Sequence, residues 1–266
     1  MTSEPFVSVV TPVYNGEAFL AECIESVLTQ DYANWEYIIV NNCSTDRTLE
    51  LAEHYTKLDR RIRVMTNEAF VGAIENHNIA FRQISPESAY CKMVSADDYL
   101  LTRCLTKMVQ FAMQNPTVGI VGSYQRCNDS IKWKGLPDDV TVLPGREACR
   151  LGLLQEIHVL GCPTSVLYRS DVVRRTESFF PHSESHADTS ACYAYLRDCD
   201  FGFIHEVLSV EREHAGQVTK GVEELNGGTL AYIETLVRYG PLCLSENELA
   251  MRREKLLADY YRLLGG

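Results

Sequence analysis

The first half of the chain alternates short apolar runs with stretches in which apolar residues recur every three or four positions. The apolar runs lie at 7–10, 35–40, 62–65 and 90–94. Such runs, rich in β-branched side chains, are typical of buried strands. Between them the apolar residues show helical spacing, as at Phe19, Cys23 and Val27. The pattern predicts the order βαβαβαβ and therefore an α/β fold, with a mostly parallel central sheet flanked by helices.

The pattern changes after residue 104. A helix is predicted at 105–113, strands in "NPTVGIVGSY", "TSVLYRS" and "FGFIHEVLSVERE", and helices in "PGREACRLGLL" and "DTSACYAYLRDC". The segment "DVVRRTESFFPHSESH" predicts a helix that leads into a polar loop. Residues 221–266 predict a helical extension, in which Ser245 and Glu248 have the spacing of a capping box. The apolar stripe of this extension must be covered by the chain's own core, a second subunit or a membrane surface.

Small polar residues cluster where three of the predicted strands end. The clusters are 11–16, 41–46 and 95–98. In parallel sheets the binding sites lie at the carboxyl ends of the strands. The three clusters are therefore expected to converge on one edge of the sheet.

The charge balance excludes one class of partner. The chain has 266 residues, of which 45% are hydrophobic, so it can bury a full core. Its net charge is −11, and a protein that binds nucleic acid needs a basic face to offset the phosphates. No nucleic-acid partner is therefore expected. A small anionic ligand remains compatible with this charge, because a metal ion or a helix N-terminus can bind it locally.

The cysteines and the N-terminus indicate an intracellular protein. Ten cysteines are scattered without a CxxC pair, which is typical of reduced thiols that serve as small apolar side chains. No apolar run approaches the length of a membrane span. The N-terminal "MTSEPF" lacks the pattern of a signal peptide. We therefore expect a cytoplasmic protein, with peripheral contact at the inner face of a membrane as the alternative.

Two adjacent carboxylates, Asp97 and Asp98, follow the fourth predicted strand. Like charges this close are costly without a cation. Carboxylates together with phosphate oxygens are the ligands that Mg²⁺ and Mn²⁺ prefer. The alternative is that one of the two caps the helix that follows.

The other strand ends carry groups that suit a nucleotide. The side chains of Asn41 and Asn42 offer both donors and acceptors, which suits the edge of a nucleobase, and Tyr14 can stack on a base. The alternatives are structural. Ser44 and Asp46 can cap the following helix, and Tyr14 can cover the sheet.

Two further groups of polar residues lie in the second half. Asp188 stands between a polar loop and a predicted helix, where it has the position of a helix cap. Arg212 and His214 follow the last predicted strand, where they can form surface ion pairs. A site that binds phosphate and a metal at one edge would account for all these groups together.

Four segments resemble family 2 glycosyltransferases with the GT-A fold. The segment "VSVVTPVYNGEAFLAECIESVLTQDYANWEYIIVNNCSTDRT" resembles the family's N-terminal signature, and "ADDYL" resembles the end of its DxD motif. "HADT" is similar to the family's ED pair, and "VEREHAGQVT" to its closing R-x-H segment. The resemblance spans roughly residues 6–220. It implies a Rossmann-like GT-A domain at 1–220, with a nucleotide-sugar half at 1–104, an acceptor half at 105–220 and a helical extension at 221–266.

The resemblance implies a nucleotide pocket built from the first two clusters. Thr11, Pro12 and Tyr14 correspond to residues that line this pocket in the family. Asn41 or Asn42 stands where the family has an aspartate that binds the nucleobase. The ligand implied is a nucleotide-diphosphate sugar.

The resemblance also implies the metal site and the catalytic group. Asp97 corresponds to a residue that contacts the ribose or the metal, and Asp98 to one that holds a divalent cation, Mn²⁺ or Mg²⁺, on the diphosphate. Asp188 corresponds to the general base. Glu177, Glu184 and His186 are the alternatives if Asp188 is structural. Arg212 and His214 are expected in a mobile segment, 212–221, that closes over the diphosphate.

The chain departs from the family pattern at four places. Asn41, Asn42 and Cys43 replace the commoner Asp-Asp-Gly, which removes the charge but keeps an oxygen that can accept a hydrogen bond from a base. Ser95 stands at the first Asp of a full DxDD pattern, and Ala187 at the Glu of the ED pair. The fourth is Glu75, at a frequent arginine. None of these changes removes a group that the chemistry requires.

The reaction implied is the transfer of a sugar to an acceptor hydroxyl. A metal would neutralise the leaving group and one carboxylate would take the acceptor proton. Since the polar loop of the acceptor half offers a single candidate, we expect inversion at the anomeric carbon. The alternatives are an inactive module that binds nucleotide sugars or glycans, and a sugar nucleotidyltransferase. A resemblance to the latter class would require a glycine-rich phosphate loop with a basic residue near the N-terminus. The segment "TPVYNGEAF" contains one glycine and no lysine or arginine.

The expected partners follow from the same resemblance. They are a nucleotide-diphosphate sugar as donor and a carbohydrate or a lipid-linked acceptor, in the synthesis of a bacterial surface polysaccharide or glycolipid. The C-terminal helices can add a homodimer contact or a peripheral membrane contact.

Overall fold

The structure is a computed structural model that describes residues 4–160, 162–181, 186–214, 217 and 227–265. The first half has the predicted order of alternating strands and helices. Its elements are β1 (Val7–Val13), α1 (Leu20–Leu28), β2 (Trp35–Asn41), α2 (Thr48–Leu58), β3 (Ile62–Thr66), α3 (Ala73–Arg82) and β4 (Tyr90–Met93). The prediction of βαβαβαβ is therefore confirmed.

The second half mixes short strands with helices of varied length. Its elements are β5 (Tyr99–Leu100), α4 (Cys104–Gln114), β6 (Val118–Cys127), β7 (Ser130–Lys132), β8 (Val142–Leu143), α5 (Gly145–Leu154), a 3₁₀ turn (Pro163–Ser165), β9 (Val166–Arg169), α6 (Ser170–Val173), α7 (Ala187–Tyr195), β10 (Asp200–Glu211), α8 (Gly227–Cys243) and α9 (Glu246–Gly265). The segment after β9 differs from its prediction, because only the single turn α6 is helical before the aromatic pair Phe179 and Phe180, which is buried.

One continuous sheet joins the two halves. Within the described residues its main order is β3-β2-β1-β4-β9-β6-β10-β5, with β7 beside β6 and β8 beside β10. Strands β1 to β4 pair in parallel, and β6 pairs in parallel with β10. Strand β9 lies between β4 and β6 and runs antiparallel to both. The strands of the two parallel groups therefore run in the same direction. The predicted mostly parallel α/β sheet is thus confirmed.

Helices cover both faces of this sheet, which explains the composition of its central strands. Every residue of β1 is buried, as are all but one residue of β2. Successive side chains of a strand point to opposite faces. Val10 and Ile38 accordingly belong to one apolar cluster, and Val9 and Ile39 to the other. Strands buried on both faces become continuous apolar runs, which is the pattern of the sequence.

The C-terminal helices α8 and α9 pack against the chain's own core. The ring of Tyr239 stacks on Tyr193 of α7 with 5.6 Å between centroids, and Leu236 and Leu256 are buried. Arg252 donates a hydrogen bond of 3.0 Å from Nε to the carbonyl oxygen of Leu153 in α5. Of the three coverings predicted for the apolar stripe, the chain's own core is the one observed.

Two smaller expectations concern the thiols and the membrane. All ten cysteines are free thiols. Across the ranges described above, no helix is both long and apolar enough to span a membrane.

Candidate active site

Hydrogen bonds tie the first two polar clusters into one edge of the sheet. The amide of Asn15 donates to Ser44 Oγ at 2.9 Å, and Asn15 Oδ1 accepts from the amide of Thr45 at 2.8 Å. Asn15 and Cys43 both have a left-handed backbone, with φ of 49° and 57°. Asparagine tolerates this region, and glycine adopts it most easily. The position of Cys43 therefore explains why a glycine is commoner there in the family that the sequence resembles.

The residues predicted to line a nucleotide pocket differ in how far they reach solvent. Thr11 is fully buried, and its Oγ1 donates to the carbonyl oxygen of Val94 at 2.8 Å and contacts the Tyr37 hydroxyl at 2.9 Å. Pro12 is also buried. Tyr14 is 48% exposed, and its ring meets that of Phe70 at 4.9 Å in an edge contact. Tyr14 and Phe70 thus offer an open aromatic surface, and Phe70 was not predicted.

Asn41 and Asn42 are both buried at the end of β2, with different numbers of partners. Asn42 Oδ1 accepts from the Asn67 side chain and from the Val71 amide, both at 3.0 Å, and its Nδ2 donates to the Val71 carbonyl at 2.8 Å. Asn41 Nδ2 donates to Thr66 Oγ1 at 3.1 Å, and its Oδ1 accepts from the Ser44 amide at 3.1 Å. Asn42 therefore fixes the loop at Val71, while a role of either residue toward a base stays a prediction.

The acidic pair lies under the end of β10. Asp98 is 3% exposed, and its Oδ1 accepts from the amide of Arg212 at 3.3 Å. Burial and the neighbouring charge of Asp97 raise the pKa of Asp98 to about 7. Asp97 Oδ2 lies 3.0 Å from His214 Nε2, and its carbonyl oxygen accepts from Arg212 Nη1 at 2.6 Å. The N-cap of α4 is Arg103, so neither aspartate caps that helix.

Arg212 reaches from β10 to the first helix of the donor half. It forms an ion pair with Glu22, and its guanidinium lies over the ring of Tyr99 at 4.8 Å and that of Phe19 at 5.5 Å. The ring of His214 packs on Phe19 at 4.6 Å. The two residues therefore cover the acidic pair. The rest of the predicted lid, at 215, 216 and 218–221, lies outside the described residues, apart from Gln217.

The residues around the acidic pair fit a divalent cation whose coordination is completed by oxygens of a bound phosphate. In the part of the chain that the structure describes, no group of three or more His, Cys, Asp or Glu residues could hold a metal ion alone. Asp97 and Asp98 are adjacent, and the raised pKa of Asp98 reflects a buried negative charge that the surroundings compensate poorly. Phosphate oxygens would have to supply the remaining ligands, which is how Mg²⁺ is commonly bound.

A cavity of about 390 Å³ joins the edge of the donor half to the second half. Ser95, which precedes the acidic pair, lines it together with Asp188 of α7. The N-cap of α7 is His186, so Asp188 lies inside the first turn and is not the cap. Asp188 Oδ1 accepts a hydrogen bond of 2.8 Å from the amide of Thr189, and no bond to Oδ2 is seen within the described ranges. One carboxylate oxygen can therefore serve a ligand in the cavity.

Lys92 and Thr164 support this arrangement, and sequence reasoning missed both. The fully buried Lys92 donates from Nζ to the carbonyl oxygens of Thr164 and Val166 at 2.5 and 2.9 Å. Thr164 Oγ1 in turn accepts from the amide of Ser95 at 3.0 Å. Burial lowers the pKa of Lys92. A lysine inside the apolar run of β4 was the signal in the sequence, because a buried amine requires specific partners.

Comparison with known proteins gives a family match and partial relatives. Residues 8–176 match the glycosyl transferase family 2. An uncharacterized glycosyltransferase of Haemophilus influenzae is 36% identical over 124 residues, which cover 47% of this chain and 38% of that protein. The putative teichuronic acid biosynthesis glycosyltransferase TuaG of Bacillus subtilis is 36% identical over 111 residues, 42% of this chain and 43% of TuaG. The matched regions therefore span less than half the length of these curated relatives.

Solved structures share the fold over nearly the whole chain. S. aureus TarS 1-349 in complex with UDP-GlcNAc superposes with a TM-score of 0.70 at 19% identity, over 95% of this chain and 71% of that one. The mannosyltransferase PcManGT of Pyrobaculum calidifontis, in complex with GDP-Man and Mn²⁺, gives 0.67 at 17% identity, over 89% and 65%. These likenesses confirm the predicted GT-A fold. With the sequence match over residues 8–176, they identify the chain as a member of glycosyl transferase family 2.

Proposed function

We propose that this protein transfers a sugar from a nucleotide-diphosphate sugar to an acceptor hydroxyl. The observation that carries the proposal is the single cavity lined by both Ser95 and Asp188. Ser95 leads into the acidic pair at the end of β4, and Asp188 offers a carboxylate oxygen from the second half. A donor that is bound at the sheet edge would therefore have its reacting carbon near a base. Family membership supports the same reaction.

The nucleotide would lie along the carboxyl edge of β1, β2 and β4. Tyr14 and Phe70 are exposed aromatic rings at this edge, and base stacking is a common use of such rings. Of the two asparagines, Asn41 accepts a single hydrogen bond at Oδ1, from the Ser44 amide, and so keeps a lone pair for an N–H group of a base. Asn42 Oδ1 already accepts two hydrogen bonds, from Asn67 and Val71. We therefore propose Asn41 as the residue nearer to the base. UDP, UDP-GlcNAc and GDP-Man are the ligands named for the similar structures.

Asp97 and Asp98 would hold Mn²⁺ or Mg²⁺ beside the diphosphate. When bound, the ion supplies positive charge to the leaving group. The chain adds its own cation there, because Arg212 donates to the backbone of Asp97 and its amide reaches Asp98. His214, which contacts Asp97 Oδ2, can donate to the same diphosphate from its ring. These two residues would orient the leaving group and exclude water from it.

Asp188 would act as the general base. Its free Oδ2 accepts the proton of the acceptor hydroxyl as the oxygen attacks the anomeric carbon, which inverts the configuration in a single displacement. The amide of Thr189 holds Oδ1 and so fixes the carboxylate at the start of α7. Ala187, at the Glu position of the ED pair, is buried.

The domain boundaries follow from this division of labour. We propose 1–104 as the donor half, 105–220 as the acceptor half and 221–266 as the helical extension. One relative, TuaG, is named a putative teichuronic acid biosynthesis glycosyltransferase, which supports polysaccharide synthesis in bacteria as the context.

The experiment begins with a screen of UDP- and GDP-sugars, each with and without Mn²⁺, by thermal shift. Ligands that bind only the folded state raise the apparent stability by mass action. We expect one donor to stabilise the protein only with the ion, and to be hydrolysed slowly to free sugar. Stabilisation without any hydrolysis or transfer would indicate an inactive binding module instead. Full turnover in EDTA would remove the metal from the proposal.

Asp188→Asn then tests the base. Asparagine can still accept from the Thr189 amide but cannot take a proton, so turnover should fall by on the order of 10²–10⁴ while the donor still binds. Asp198→Asn, beyond the end of α7 and on the surface, is the matched control and should retain the wild-type rate. If Asp188→Asn transfers normally at saturating donor, the base must be sought at His186, at Glu177 or at Glu184, which lies outside the described residues.

A further inference from the structure

Part of the cavity wall is built by the C-terminal extension. Ala231, Tyr232 and Thr235 of α8 line the same cavity as Asp188. These residues lie beyond 8–176, the part of the chain that matches the family. Resting on the proposed function, we propose that this cavity is an acceptor subsite for an uncharged sugar ring, held against Trp133 and Tyr232. Helix α8 would then be a determinant of acceptor choice.

Trp133 presents an apolar ring to the cavity. Its indole Nε1 donates to Gln125 Oε1 at 2.9 Å, and Gln125 is fully buried in β6. The backbone of Trp133 is left-handed, with φ of 67°, which is rare for a bulky side chain and persists only where the surroundings hold it. Because its polar atom is already bonded, the group left for a ligand is the ring. The C–H face of a sugar packs well on such a surface.

Tyr232 is the second aromatic residue of the cavity and lies close to the proposed base. Its ring is 42% exposed and stands 6.4 Å from that of His186, two residues before Asp188. The stacking of Tyr239 on Tyr193 fixes the helix that carries it. The second aromatic surface is therefore built on a rigid element, which suits it to position a ring rather than to move away from it.

The charges of the cavity oppose a phosphate. Lys132 Nζ contacts both oxygens of Glu211 at 2.8 and 3.0 Å, so this pair is neutral as a whole. Asp188 adds a negative charge. The histidines His158 and His186 also line the cavity, and the described lining residues include no lysine or arginine besides Lys132. A sugar hydroxyl can share the oxygens of Glu211, whereas a phosphate would meet net negative charge. The part of the acceptor that enters the cavity is therefore a neutral sugar, and not a lipid phosphate.

The test uses Trp133 itself as the probe. The chain has two tryptophans. The other, Trp35, is the first residue of β2 and is buried beneath the guanidinium of Arg61. In Trp35→Phe, methyl glycosides of common hexoses and N-acetylhexosamines are titrated, with the same sugars as 1-phosphates for comparison. We expect at least one glycoside to shift the emission of Trp133. Its 1-phosphate should bind about tenfold more weakly, which corresponds to about 1.4 kcal/mol of binding free energy. Saturation-transfer NMR on the wild type reports the same binding if Trp35→Phe does not fold.

Tyr232→Ala should weaken glycoside binding about tenfold, the usual cost of truncating a buried aromatic contact. Tyr261→Ala, an exposed tyrosine of the same extension that does not line the cavity, is the matched control and should bind as the wild type does. Equal binding by Tyr232→Ala, or equal affinity for glycoside and 1-phosphate, would overturn the proposal. Neither measurement needs donor or turnover, so a failure of the proposed reaction would be seen separately, as the absence of donor hydrolysis.

An identified donor separates acceptor binding from donor binding. In the slow variant Asp188→Asn, the glycoside should still bind when the donor is saturating. Displacement of the glycoside by the donor would assign the cavity to the donor sugar and overturn the acceptor assignment. With Asp188 intact, Tyr232→Ala should lower the ratio of transfer to hydrolysis, relative to the wild type, by about the same tenfold factor as it lowers the glycoside affinity.

Discussion

The donor edge and the acceptor cavity are built in opposite ways. At the donor edge the polar side chains are buried and bonded to other segments, as Thr11 is to Val94 and Asn42 to Val71. In the cavity the chemical groups are half-exposed and have few partners, as Asp188 and Tyr232 show. The first arrangement holds backbone in one shape, and the second leaves side chains free for a ligand. If the proposed function holds, the donor edge would present one fixed shape to its ligand, while the cavity walls would select the acceptor.

Strand β10 connects these two regions. Its pairing with β6 shifts register at three places, and such irregularities bend a strand and re-aim its side chains. Glu211 lines the acceptor cavity, and the next residue, Arg212, contacts the acidic pair. Since neighbouring residues of an extended chain point to opposite sides, one strand end supplies both regions.

The largest effect is expected from removal of the C-terminal extension. A chain that ends at residue 226 would expose the surfaces that now cover Leu236, Tyr239 and Leu256. Each buried apolar side chain is worth roughly 1.5–3 kcal/mol, and a whole domain has only about 5–15 kcal/mol. We expect the acceptor half to lose cooperative unfolding in urea, followed by tryptophan fluorescence and circular dichroism.

The control for this truncation keeps the extension and changes its outer face. Val237→Ser and Met251→Ser alter side chains that are 65% and 67% exposed, so both should retain the stability of the wild type. A truncated chain that stays monomeric, cooperative and active would show that the extension is dispensable, and that the cavity does not depend on its wall.

The second prediction breaks the donor edge. Asn42→Ala leaves the amide and the carbonyl of the half-buried Val71 without their side-chain partner. A buried polar group left unpaired costs about 1–3 kcal/mol, and less where water can reach it. The free energy of unfolding should fall by that order. Asn41→Ala is the comparison variant. It removes one bond to Thr66 and one from Ser44, so its loss of stability should be the smaller of the two and its loss of donor affinity the larger. The reverse ranking in urea unfolding and donor titration would exchange their roles.

The sequence predicted the donor half well because its pattern is local. Each strand and helix there has its own hydrophobic period, and sequential elements are neighbours in the sheet. The clusters at Asn41 and Asp98 were placed at the same edge by that rule alone. The structural partners of Asn42 were not predictable, because Asn67 and Val71 come from the loop after β3 and their contact depends on its path.

The second half was predicted less well because its contacts are distant along the chain. The antiparallel position of β9 between β4 and β6 has no local signal. The expected helix after β9 shortened to one turn, since Phe179 and Phe180 join Phe81 in an aromatic cluster that overrides local propensity. The cavity unites Trp133, Asp188 and Tyr232, whose spacing in sequence indicates nothing about their proximity.

A third prediction concerns the seam between the halves. Lys92 in β4 donates to Thr164 and Val166 of the second half, and a neutral amine still has the two hydrogens that these bonds need. Burial lowers the pKa of Lys92. The unfolded chain therefore binds more protons than the folded one between this lowered pKa and the ordinary value of about 10.4, so this group makes stability rise with pH across that window.

Lys92→Met should lack this rise. Urea unfolding of both proteins from neutral pH to about pH 10 isolates the contribution of Lys92, since other groups titrate alike in the two and one pKa unit corresponds to about 1.4 kcal/mol. Lys107→Met, which removes a surface ion pair with Glu206, is the control and should follow the wild-type curve. Parallel curves for Lys92→Met and the wild type would mean that the amine is charged throughout.

The smallest effect is expected at the start of α9, where the extension is held locally. Ser245 Oγ lies 3.3 Å from the amide of Glu248, and Glu248 Oε2 accepts from the Ser245 amide at 2.9 Å, so the predicted capping box is confirmed. Ser245→Ala should cost about 1 kcal/mol, and Ser245→Asp, which can still cap, should recover most of it. Glu248 also binds Arg150 of α5, so α9 should stay docked and glycoside binding at Tyr232 should persist. A loss of that binding on Ser245→Ala would show that the acceptor cavity depends on the local order of α9, and that its wall is less rigid than the donor edge.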